Sequence, residues 1–199
     1  KVALESHGCL LFKDASANKG GVTSSSLEVL ASLALNDDDF LNKFIGKDYK
    51  THGVTQLYKS YVAEVQKRII HNAESEFKQL WQLNQSTGKP ISDLSNILSH
   101  TINKLNDDLV HSEELWSNDI KLRNYLLLEK IIPKLLVDVA GKDKILENIP
   151  EAYSKVLLSS YLSSSFVYKE GIDVNIGKFL EHIGSLRREL KGHRSSTKN

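Results

Sequence analysis

Residues 14–28, DASANKGGVTSSSLE, hold the groups in this chain best placed to do chemistry. A short apolar run, Cys9-Leu10-Leu11-Phe12, precedes them, and a helical apolar pattern follows. Strand, glycine turn and helix start, in that order, is how α/β enzymes build a small-molecule site. Gly20 and Gly21 lack a Cβ, so the backbone there can bend tightly and approach a ligand. Thr23, Ser24 and Ser25 place hydroxyls where the first N–H groups of a helix have no intrahelical partner. A helix N-terminus carries roughly half a positive charge, which favours a carboxylate or a phosphate. The same residues also admit a structural reading. Ser25-Ser26-Leu27-Glu28 has the form of a capping box, in which Ser25 accepts from the N–H of Glu28 and Glu28 bonds back. That needs no ligand, so the local pattern leaves both readings open.

Other reactive side chains are scattered. The histidines, at 7, 52, 71, 100, 111, 182 and 193, form no His-x-x-x-His pair and adjoin no cysteine pair, which argues against a metal site. Cys9 lies in the apolar run and reads as a small buried hydrophobe rather than a nucleophile. Arg187, Arg188, Lys191, His193, Arg194 and Lys198 make a basic end, which suits a helix C-terminus without any nucleic acid. His71, Glu74 and Lys78 read as a solvated helix face, and Tyr58 and Tyr61 as core.

The run FKDASANKGGVTSSSLEVLASLAL resembles the glutamate dehydrogenase signature, an Asp followed by Asn-x-Gly-Gly-Val-Thr-x-Ser-x-x-Glu. The matching positions are Asp14, Asn18, Gly20, Gly21, Val22, Thr23, Ser25 and Glu28. Its wording is similar to the long NAD-specific glutamate dehydrogenases of fungi. Leu115-Trp116, Leu122-Arg123-Asn124, Ile149-Pro150-Glu151-Ala152-Tyr153 and Phe166-Val167-Tyr168 resemble the same enzymes more loosely. Past about residue 172 no match can be pointed to.

The resemblance implies oxidative deamination of L-glutamate to 2-oxoglutarate and ammonium, with hydride passing to NAD. It makes Asn18, with Gly20 and Gly21, cofactor-binding beside the nicotinamide. Ser25 then binds the distal carboxylate of the substrate, and Val22 packs on its methylenes. A hydroxyl at a helix N-terminus suits a carboxylate, since the dipole there also favours negative charge. Three positions depart from the commoner short-chain pattern. Lys19 replaces a small residue and adds a cation near the cofactor, and Ser26 and Leu27 replace an aromatic pair.

The sequence contains no G-x-G-x-x-G turn and no lysine in a glycine-rich setting that could be catalytic. In the family both lie upstream of this segment. The chain begins at Lys1 and has no Met, so it reads as the C-terminal fragment of a longer enzyme, inactive alone and contributing no catalytic residue. A homo-oligomer is expected of that intact enzyme. The alternative is a non-catalytic helical structural or interaction module.

At 199 residues, 40% hydrophobic and 26% charged, the composition fits a soluble globular body. A net charge of +1 gives no general drive toward nucleic acid or membrane. A single cysteine suits a reducing compartment, read as cytoplasmic with the mitochondrion as the alternative. No apolar run approaches the roughly 18–20 residues of a membrane span.

The positioning elements follow from periodicity. The fold class expected is mainly α: the C-terminal edge of a Rossmann-type α/β dinucleotide-binding domain, with one strand near 9–13, followed by a helical domain. Residues 1–8 read as a helix end closed by Gly8. The boundary of the dinucleotide-binding part is set at 35, the helical domain at 36–191 and a disordered tail at 192–199. After a polar break at 36–39 a short helix is expected over 38–45. Val54, Tyr58, Tyr61, Val65, Ile69, Ala73, Phe77 and Leu80 then recur every three or four residues. They mark one helix of about seven turns, or roughly 40 Å. Leu94, Leu98, Ile102, Leu105 and Leu109 mark the next, and a third spans about 116–131 before a break at Pro133. Pro150 opens a further helix, and Ile176, Phe179, Ile183, Leu186 and Leu190 line the last.

Overall fold

A computed structural model describes residues 1–196. Two short helices come first, α1 (Val2–Glu5) and α2 (Asp14–Ala17), then α3 (Gly20–Ala34). A wide π-type turn of helix over Asp39–Gly46 and the short α4 (Tyr49–His52) lead into α5 (Gln56–Thr87). Next come α6 (Ile91–Val110), α7 (Glu113–Asn118) and α8 (Ile120–Leu126), which runs on as a π-type stretch over Leu127–Ile131. The chain closes with α9 (Lys134–Ala140), α10 (Lys142–Asn148), α11 (Glu151–Glu170) and α12 (Ile176–Ser196).

The long helix α5 is delimited as its sequence suggests. The Thr55 hydroxyl accepts from the N–H of Tyr58 at 3.1 Å and caps the start. Gly88 closes the end at φ 66°, a left-handed conformation that costs glycine little. Tyr61, Val65 and Leu80 bury its inner stripe. Phe77, expected on that stripe, is half exposed and stacks between Phe12 and Trp81, at 5.4 and 6.0 Å. The helices α6 and α11 pack most extensively against each other. Ser154, Ser159 and Ser163 of α11 are buried, and small side chains let neighbouring backbones come close. The hydroxyls of Ser159 and Ser163 donate within the helix, to the carbonyls of Lys155 (2.8 Å) and Ser160 (3.2 Å).

Pro133 breaks the chain where expected. Ile132 is extended, and the two ends of the break are held from α5. The Glu64 carboxylate accepts from the N–H groups of Lys134 (2.7 Å) and Leu135 (3.3 Å), capping α9. One turn later Arg68 donates to the carbonyl of Ile131. The helix expected over 116–131 is divided at Asp119, whose carboxylate accepts from the N–H of Leu122 at 3.1 Å and starts α8 afresh.

Four expectations are corrected. The strand near 9–13 is irregular chain here, with Leu10 57% exposed. A strand needs a neighbour to accept its ladder, and the described residues contain no other strand. Cys9 is accordingly an exposed thiol, not a buried one. Ile176, expected on the apolar face of the last helix, is exposed, while Phe179, Ile183 and Leu186 are buried. The last helix also continues through Ser196, past residue 191, and residues 197–199 lie outside the described part.

Leu27, Leu30, Ala31 and Ala34 of α3 join the same core as Leu94 and Leu98 of α6 and Leu158, Leu162 and Phe166 of α11. The segment that carries the glycine pair is therefore seated on the helical body through one face of α3.

Candidate functional site

The helix α3 begins at Gly20, earlier than a capping box at Ser25–Glu28 requires. Ser25 consequently lies in the second turn. Its hydroxyl donates to the carbonyls of Gly21 (2.9 Å) and Val22 (3.2 Å) rather than accepting from Glu28. The capping box does not form because the first turn is already supplied upstream. Asn18 ends α2 with its own N–H on the carbonyl of Asp14, and its side-chain oxygen accepts weakly from the N–H of Gly21 at 3.4 Å.

Gly20 and Gly21 are helical residues, and neither has a positive φ. A Cβ on either would meet only the Asn18 side chain, at 3.8–4.0 Å, which is ordinary contact. The fold of this chain therefore does not itself require glycine at these two positions. What the missing side chains provide is open space above the helix start. Ser25 lies four residues after Gly21 and three after Val22 and so shares their face of α3, while Asn18, just outside the helix, reaches the same helix start through its bond from Gly21. Val22 is 76% exposed, and Ser25 and Asn18 are exposed as well. All five residues singled out in the sequence thus gather at one helix start: an amide, two positions without side chains, an apolar side chain and a hydroxyl.

The segment leading to this face is pinned to the helices along its length. Glu5 accepts from the N–H and hydroxyl of Ser92, at 3.1 and 2.6 Å, at the start of α6. Those two hydrogen bonds hold its carboxyl below the ordinary value of 4.5. Phe12 stacks on Phe77, Lys13 donates to Asn96, and the hydroxyls of Ser16 and Ser95 meet at 2.6 Å. Lys19 forms an ion pair with Glu76 of α5, a carboxylate only 5% exposed. Glu76 also accepts from the Tyr168 hydroxyl of α11 at 2.8 Å. Burial first, and then the charge and hydrogen bond of Glu76, push the Tyr168 phenol well above its ordinary value.

The sequence reading missed Glu76 and Tyr168 as parts of this site. Lys19 was legible as an unusual cation, but its partner lies on another helix. No short-range spacing joins the two. A cleft of about 1000 Å³ opens beside the face, with Val22, Thr23 and Leu30 of α3 on one wall. Arg68 and His71 of α5 and Tyr161 of α11 form others. Among the described residues no cluster of His, Cys, Asp and Glu could hold a metal ion, and no helix is long and apolar enough to cross a membrane.

Residues 1–88 match the model of the Glutamate/Leucine/Phenylalanine/Valine dehydrogenase family. The chain is 73% identical over 96% of its length to the NAD-specific glutamate dehydrogenase of Saccharomyces cerevisiae, spanning 17% of that protein. It is 45% identical over 86% of its length to the NAD-specific glutamate dehydrogenase of Neurospora crassa, spanning 16% of it. Glutamate dehydrogenase 2 of Dictyostelium discoideum is 42% identical over 95% of this chain, which spans 18% of that protein. No solved structure matches the chain. The resemblance read from residues 14–28 thus extends along nearly the whole sequence, which is similar to one segment of each of these longer enzymes.

Proposed function

We propose that this chain supplies the later part of the dinucleotide-binding domain, residues 1–35, and the helical domain after it, residues 36–191, of an NAD-dependent glutamate dehydrogenase. The intact enzyme oxidises L-glutamate to 2-oxoglutarate and ammonium. NAD, when bound, accepts the hydride. The observation that carries this reading is the exposed helix start with Asn18, Gly21, Val22 and Ser25, whose residue types are those of the signature that residues 14–28 resemble.

The residues suit the groups they are assigned to. The Asn18 amide both donates and accepts, as a planar carboxamide such as that of nicotinamide requires. Gly20 and Gly21 leave the space over the helix start open for it. The Ser25 hydroxyl is exposed and can turn from the Gly21 carbonyl toward a carboxylate by rotation about Cα–Cβ. Val22 offers exposed apolar surface to the two methylenes of glutamate. We read residues 9–13 as the strand that pairs only when the rest of the dinucleotide-binding sheet is beside it. The exposed Val22 and Val29, seven residues apart on the outer face of α3, support that reading, because an apolar outer face is unusual on a helix with nothing to cover. The body, bracing this face through α5, α6 and α11, belongs to a homo-oligomer in the cytoplasm or the mitochondrion.

The test is NADH oxidation with 2-oxoglutarate and ammonium by the full-length protein, in wild type and in Ser25→Ala. The expected outcome is a KM for 2-oxoglutarate raised about tenfold or more, which corresponds to one lost hydrogen bond to a charged group. Stability should change by less than about 0.5 kcal/mol, since Ser25 is exposed and caps nothing. Loss of stability with KM unchanged would make Ser25 a structural residue. Absence of activity in wild type would leave the helical-module reading in its place.

A further inference from the structure

We propose that Lys19, Glu76 and Tyr168 form a positioning relay, through which the helical body sets the placement of the Asn18–Gly21 helix start and with it the affinity for the cofactor. This rests on the cofactor-side reading of Asn18 given above. Lys19 stands between Asn18 and Gly20, inside the signature itself. Its ammonium reaches Glu76 of α5, and Glu76 in turn accepts from Tyr168 near the end of α11. Three elements distant in sequence therefore meet at one carboxylate.

The energetics make the contact directive. Glu76 is buried, with 6% of its side chain accessible, while Lys19 retains 23%. A buried carboxylate that loses its cation is left as an uncompensated charge, which is strongly unfavourable. The Lys19 ammonium is thus held at Glu76, and the backbone on either side of it can move only as far as that side chain allows. Tyr168 takes a further lone pair of the carboxylate and fixes its orientation. The anchors at Phe12 and Ser16 hold the chain before Asn18, and the buried Leu27 and Leu30 hold α3 beyond Ser25. Lys19 is the link placed between them. The extra cation that the sequence places near the cofactor is thus already paired with Glu76.

The experiment uses the full-length enzyme with Lys19→Met, Glu76→Gln, Tyr168→Phe, Lys19→Arg and the double variant Lys19→Met/Glu76→Gln. Steady-state kinetics and amide hydrogen exchange over residues 18–22 are read on each. Lys19→Met and Glu76→Gln should each raise the KM for NAD by about tenfold or more with kcat within about twofold, as expected when a binding group is displaced rather than removed. Exchange at residues 18–22 should quicken by a similar factor while the centre of α5 is unchanged. The double variant should be no worse than either single one, because no buried charge is stranded. Tyr168→Phe should act in the same direction and less, and Lys19→Arg should retain most of the affinity. Unchanged exchange at 18–22 in both Lys19→Met and Glu76→Gln overturns the relay. So does a double variant whose effect is the product of the two. Asn18→Ala separates the two proposals: if it leaves the KM for NAD unaltered while Lys19→Met still quickens exchange, the relay stands and the assignment of Asn18 fails. If Lys19→Met fails to fold, the isosteric Glu76→Gln carries the same two readouts.

Discussion

Gly21 lies in the first turn of α3, right-handed, with its N–H on the Asn18 side chain, and a Cβ there would make only ordinary contact with that side chain at 3.8 Å. For stability alone this is a poor choice, because glycine in a helix is less favourable than alanine by roughly 0.5–1 kcal/mol. For a ligand lying over the helix start it is a good one. Gly21→Ala should therefore leave the fold as stable or raise it by up to about 0.5–1 kcal/mol, and in the full-length enzyme it should weaken NAD. Thermal midpoints and the KM for NAD measured on the same preparations check both halves. A variant that is less stable and equally tight would remove the ligand from the explanation. This proposed division of roles was half legible in the sequence. The residue types at 18, 20, 21, 22 and 25 could be read from the signature. That the glycines are helical and the capping box unformed could not, because the helix start depends on α2 ending at Asn18. Glu76 was out of reach for another reason: its burial follows from packing of α5 against the signature segment, and a single Glu beside an apolar stripe carries no mark of which neighbour will cover it.

Between elements, the long helices obey periodicity and the breaks obey local chemistry. The limits of α5 at Thr55 and Gly88 and the break at Pro133 were written in residues whose backbone preferences are strong. The division at Asp119 was not, since Asp is an indifferent helix former until its carboxylate finds the N–H of Leu122. The contact of α12 with α11 adds a pH dependence that no pattern announces. His182 of α12 is buried against Phe166 of α11, with ring centroids 5.5 Å apart and Nε2 lacking a hydrogen-bond partner. Burial chiefly, and then the charge of Lys169, hold its pKa below the ordinary 6.5, while Glu170 and Glu189 oppose that shift. The folded pKa is the lower one, so the unfolded chain binds the proton first. Stability from this group is complete above about 6.5 and declines as pH falls below that value toward the folded pKa. Thermal midpoints of wild type and His182→Leu, followed downward from pH 7, should show the wild type falling more steeply through this window. Parallel slopes would mean that His182 is protonated in the fold without cost.

For the molecule as a whole, the question is what this chain can do without further protein. Its core is continuous from α3 to α12, and Trp116 is buried with its indole N–H on the carbonyl of Leu109 at 2.7 Å. A body of this kind should fold cooperatively, and the emission of Trp116 reports on it. The face that carries Asn18, Val22 and Ser25 is, by contrast, open on its outer side. Val2, Leu4, Leu10, Val22 and Val29 are all exposed within the first thirty or so residues. The neighbouring cleft reaches Val22 but not Asn18 or Ser25. A dinucleotide is held chiefly by its pyrophosphate, on a glycine-rich turn that this sequence does not contain. One amide and one hydroxyl on an open surface cannot replace that turn, because weak polar contacts in water gain little net free energy. The 199-residue chain by itself should therefore give a sharp thermal transition, with the shielded Trp116 read in a Trp81→Phe background because Trp81 is exposed. It should show no NADH oxidation with 2-oxoglutarate and ammonium, and no saturable NADH binding below about millimolar concentration. Turnover or micromolar binding from this chain alone would mean that the helical body supplies a cofactor site of its own, and the cleft beside α3 would be the place to look for it.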